Sequence, residues 1–97
     1  MKKIYDSVAL GIVAVYELKD LIADERNDEK KGVLESIRYT YYYLIKNLNE
    51  QFGVTRINVV DALIENGYPR DAAIMILDSY EEWACHVVKI NKHDENI

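Results

Sequence analysis

In 97 residues the chain has a single cysteine, a single proline and four glycines. One thiol, Cys85, excludes an internal disulfide and fits a reducing compartment. So little proline and glycine leaves room for long uninterrupted helices. No apolar run reaches the ~20 residues that a membrane-spanning helix needs. Basic side chains are also scarce: 12 Lys and Arg stand against 17 Asp and Glu, a net charge of −5. That balance favours basic partners and works against a phosphate backbone unless the cations cluster.

Patterned chemistry is missing as well. Ser7, Ser36 and Ser79 have no base at a recognisable spacing. Cys85 and His86 are adjacent, and on a helix successive side chains diverge by ~100°. With His93 they make no zinc-ligand spacing, and there is no glycine-rich phosphate loop. No catalytic residue, metal site or cofactor is assigned, and the expectation is a protein that is not an enzyme.

What is present is an apolar share of 49% and a charged share of 30%, the composition of a soluble globular protein of one domain, residues 1–97. Lys2 and Lys3 precede an apolar run as in a signal peptide. Asp6 interrupts that run, Glu17 closes it and no small-residue cleavage site follows, so a cytoplasmic location is expected.

The stretch that the chain looks organised around is Val33–Phe52. Leu34, Ile37, Tyr41, Leu44 or Ile45, Leu48 and Phe52 follow steps of three and four and predict one helix with a core-facing seam. A first helix is predicted over residues 3–24, with Ile4, Val8, Ile12, Val15, Leu18 and Ile22 in line and Leu10, Val13 and Leu21 widening the stripe. The β-branched residues between 8 and 15 could suggest a strand, but the flanking pattern favours helix. Gly11, inside it, reads as a close-packing position. The charged segment 24–32 reads as a loop.

Gly53 stands where a left-handed residue ends a helix, and Thr55 is a good N-cap for a third helix over 56–66, with Ile57, Val60 and Ile64 in line and Val59 and Leu63 beside them. Gly67 and Pro69 punctuate before a fourth helix, about 70–91, whose seam is Ala73, Ile76, Leu77, Tyr80, Ala84 and Val87, flanked by Trp83 and Val88. The polar tail from about 92 reads as frayed. The fold class expected is all-α: a compact four-helix bundle-like domain.

Two groups of side chains are candidates for partner binding. Arg38, Tyr39, Tyr42 and Tyr43 form a basic aromatic cluster on the second helix, the residue types enriched at interface hot spots. Tyr41 is expected in the core and Tyr42, between Arg38 and Lys46, on the surface. Asp71, Asp78, Glu81 and Glu82 fall away from the seam of the fourth helix and form a ladder suited to a basic groove, or to an ordinary solvated face.

Residues Leu48, Phe52, Gly53, Val54, Thr55, Arg56, Val59, Ala62 and Leu63 fall in step with L-x-x-x-F-G-V-S-R-x-T-V-x-x-A-L. Over 48–68 the chain thus resembles the helix-turn-helix of GntR-type regulators. The resemblance implies a turn at Gly53, a recognition-type helix opening at Thr55, and Thr55, Arg56 and Asn58 near DNA.

The leading expectation is an acidic binding protein of the immunity, antitoxin or phage-inhibitor type, facing a protein partner with a basic surface, with no membrane and with a homodimer possible. The alternative is a helix-turn-helix regulator, the one reading that involves nucleic acid. The charge around Arg56 discriminates between them.

Overall fold

The computed structural model describes the backbone of residues 1–95 and the side chains of residues 1–89. The fold is all-α. Its helices are α1 (Lys2–Asp24), α2 (Asp28–Phe52), α3 (Arg56–Glu65) and α4 (Arg70–Glu95), with no strand among the described residues. The molecule measures 37 × 32 × 20 Å, and its short dimension is two helix diameters.

The organising element is α1, not α2 as the pattern suggested. α1 packs against all three other helices, while α2 packs broadly against α1 alone. α1 buries Val8, Ala9, Gly11, Ile12, Val13, Val15, Leu18 and Ile22, whereas α2 buries only Tyr42 and Ile45. The physical reason is residue size. Ala9, Gly11 and the β-branched residues give α1 a slim body that can be approached from several sides. At Gly11 an added Cβ would stand 3.3 Å from Ile45 Cδ1, so this glycine sets the distance between α1 and α2.

α2 begins at Asp28, inside the segment expected to be a loop. Asn27 Oδ1 accepts from the Lys30 N–H at 3.1 Å, and Asp28 and Glu29 lie in the first turn, where acidic groups favour the helix dipole. The true connection is only residues 25–27. α2 ends as expected at Gly53, with φ +61°. Gly67, with φ +98°, closes α3 in a Schellman arrangement: its N–H donates to Ile64 O and the Tyr68 N–H to Leu63 O, both 3.1 Å. α4 continues to Glu95, past the expected end at 91, and the last two residues of the expected frayed tail lie outside the described residues.

The core joins Val8, Ile12, Val13 and Val15 of the expected α1 stripe and the expected seam of α4 to Tyr42, Ile45, Val59, Ala62 and Leu63, while Leu10 and Leu21, expected to widen the α1 stripe, face outward. Three further expectations are overturned here. Tyr42 is 4% exposed rather than the most exposed tyrosine, and Tyr41 faces outward. On α2 the seam Ile37–Tyr41–Leu44 is on the surface, and α2 turns Tyr42 and Ile45 inward instead. On α3 the line through Ile57 and Ile64 is also exposed, Ile57 to 72%, while Val59, Ala62 and Leu63 face α1. In each case two adjacent apolar stripes exist and the neighbouring helices select one; helical spacing alone does not.

Candidate functional site

Arg38, Tyr39 and Tyr42 lie within little more than one turn of α2, and all three meet Trp83 of α4. The Arg38 Cζ lies 4.2 Å from the centre of the indole ring. Tyr39 and Tyr42 approach the indole at 5.7 and 5.9 Å between ring centres, Tyr42 edge-on. Tyr80 closes the cluster from beneath at 6.3 Å, and Tyr43 stacks edge-on to Tyr42 at 5.2 Å. Edge-on and tilted pairs at these distances are favourable, and a cation over an indole is the strongest pairing of its kind.

The guanidinium is fixed rather than floating. Its Nε is buried and has no hydrogen-bond acceptor, and no carboxylate forms an ion pair with Arg38 among the described residues. Burial lowers its pKa, opposed by Tyr39 and Glu35, and it remains a cation. Burial, followed by the nearby Tyr42, raises the pKa of the Tyr80 phenol above its ordinary value. Trp83, at the flank of the seam that the spacing predicts for α4, is not among the candidate binding residues that the sequence offers. It is the only tryptophan and lies at the edge of the α4 seam, which is the available signal.

Asp78 and Glu81 do not stand in a free acidic ladder. Arg56 of α3 reaches across to them, Nη1 donating to Glu81 Oε1 and Nη2 to Asp78 Oδ1. At ~100° per residue, Glu81 and Trp83 point to opposite flanks of α4. The aromatic platform and the Arg56 cluster are therefore on different sides of that helix, and the structure does not join the two candidate sets into one face. Asp71 and Glu82 remain exposed and outside this network among the described residues.

The helix-turn-helix candidates are occupied locally. Thr55 Oγ1 accepts from the Asn58 N–H at 3.3 Å and Asn58 Oδ1 accepts from the Thr55 N–H at 2.9 Å, a reciprocal capping box. Arg56 is held by two carboxylates. α2 and α3 share little direct packing and lean separately on α1. Asn49, at the turn, has a buried Oδ1 without a partner.

Among the described residues no group of three His, Cys, Asp or Glu side chains could hold a metal, and no helix is long and apolar enough to cross a membrane. Cys85 is exposed, and the side chain of His93 lies outside the described residues. No family model, no curated protein and no solved structure matches this chain.

Proposed function

We propose that this is a non-enzymatic acidic protein of the cytoplasm that binds a protein partner and inhibits it by occlusion, as immunity proteins, antitoxins and phage-encoded inhibitors do. The observation that carries the reading is Arg38: a half-buried cation, stacked on Trp83 and beside Tyr39, with Glu35 nearby but no carboxylate in ion-pair contact among the described residues. Such a group is already desolvated and oriented, so an acceptor brought by a partner gains a charge-assisted hydrogen bond at little ordering cost. Asp71 and Glu82, on the outward crest of α4, and the net charge of −5 steer partners with basic surfaces.

The alternative, a helix-turn-helix regulator, has the Gly53 turn and the capped start of α3 in its favour. Against it, Thr55 and Asn58 are spent on the cap and Arg56 is neutralised by Asp78 and Glu81. A helix whose only cation is paired has little with which to replace the counterions of DNA.

The test is affinity capture from host lysate with wild-type and Arg38→Ala baits, each with and without nuclease. A protein retained by the wild type, insensitive to nuclease and released on the order of 10-fold faster from Arg38→Ala is expected. Capture that nuclease abolishes, or a sequence-specific duplex complex tighter than about micromolar, would replace this reading with the regulator.

A further inference from the structure

The apolar seam of α2 that the fold turns outward has an order of its own. Leu34, Ile37, Tyr41, Leu44 and Leu48 alternate steps of three and four, the a/d spacing by which a helix meets a second helix along a continuous seam. Among the described residues the middle of the seam is left open, Ile37 41% and Leu44 55% exposed, while Leu48 at its end packs partly against the core. Alongside runs a matching stripe on α1, Lys3, Ser7, Leu10, Ala14, Glu17, Leu21 and Asp24, again in alternating steps of three and four. The two stripes join in a groove of about 520 Å³ lined by Leu10, Gly11, Tyr41, Leu44 and Leu48. From Val33 to Gln51 the charged residues of α2, Glu35, Arg38, Lys46 and Glu50, all fall off the line of this seam, three of them on the flank away from it, in a chain where 30% of residues are charged.

We infer that two copies of this chain pair through this α1–α2 face, related by a two-fold axis that sets α2 antiparallel to α2 of the second copy. Three features select a second copy over a different partner. The first is charge. A chain of net charge −5 repels itself, so self-association is favoured where charge is sparse, and on this face charge is confined to Lys3, Glu17 and Asp24 of the α1 stripe, with none on the α2 seam. A basic partner would instead be drawn to α4.

The second is symmetry. With the axis at the level of Tyr41, Leu34 falls opposite Leu48 of the second copy, and Ile37 lies within one residue, about 1.5 Å, of level with its Leu44. On α1 the same operation brings Lys3 opposite Asp24, so the two charged ends of the stripe are mutually complementary. The third is area. The helices overlap for about 18 residues, giving a face of roughly 27 by 20 Å. With side-chain relief, that approaches the ~800 Å² per partner of a standard interface.

Sedimentation equilibrium of the full chain from about 5 to 200 μM tests it, a range that reads a micromolar dimer. The expected species has twice the 11.3 kDa chain mass and strengthens with added salt, which screens the like net charges. Leu44→Glu is expected to weaken the dimer by on the order of 100-fold with an unchanged helical circular dichroism spectrum, since Leu44 makes little contribution to the monomer core. Lys3→Asp and Asp24→Lys should each weaken it, and the double variant should recover most of the loss. A wild type that stays monomeric at about 200 μM, a Leu44→Glu dimer as tight as wild type, or a charge swap without recovery each overturns the inference. A monomer would leave the face to a different chain.

Discussion

Tyr42 shows how much one residue's meaning depends on what reaches it. Its neighbours Arg38 and Lys46 mark it as a surface residue, yet Trp83 arrives from α4 and the ring is buried edge-on against the indole. Its removal therefore acts on folding before it acts on binding. Tyr42→Ala is expected to cost about 3 kcal/mol, in the range of large-to-small aromatic core changes, read as a lowered midpoint in urea with an unchanged slope.

Tyr80, below the same indole, gives a pH dependence. Burial raises its folded-state pKa while the unfolded value is ~10, so the folded protein holds a proton that the unfolded chain releases. Its contribution is complete below about pH 10 and is lost as pH rises above it. Urea midpoints measured between pH 8 and 11 should fall at the alkaline end, and less steeply in Tyr80→Phe.

At the scale of elements, the start of α2 rests on one side chain. Asn27 satisfies an otherwise unpaired N–H, and Asp28 and Glu29 add favourable charge at the same end. Asn27→Ala is expected to lower stability by about 1 kcal/mol and to free the first turn of α2, visible as faster hydrogen exchange confined to residues 28–31. The segment 24–32 was misleading because it has no apolar period. Capping and dipole terms build helix there without any core contact. The endings at Gly53 and Gly67 were legible because a left-handed residue has few alternatives to glycine.

For the whole molecule, charge distribution separates the functional readings. The 48–68 segment holds one cation, and the fold brings two further carboxylates to it, Asp78 and Glu81, from a helix 22 and 25 residues away. From that balance no duplex complex is expected at physiological salt, which a DNA-binding titration would check. On the other side of α4 the fold leaves Arg38 without an ion pair among the described residues, and on the α1–α2 face it leaves the apolar seam of α2 exposed at Ile37 and Leu44. Three surfaces of distinct chemistry result, and none of them is delimited by sequence alone.

The sequence by itself determined four helices, where two of them stop, and the core seams of α1 and α4, because spacing, capping and backbone sterics are local properties of the chain. It also marked Arg38, Tyr39, Tyr43 and Arg56 as side chains to follow. Only the tertiary structure decided which of two apolar stripes α2 and α3 would bury, that slim α1 rather than aromatic α2 would sit at the centre, and that Trp83 and Arg56 would each become the hub of a cluster. Those outcomes depend on which helices come into contact, and helical periodicity describes a surface without saying what will cover it.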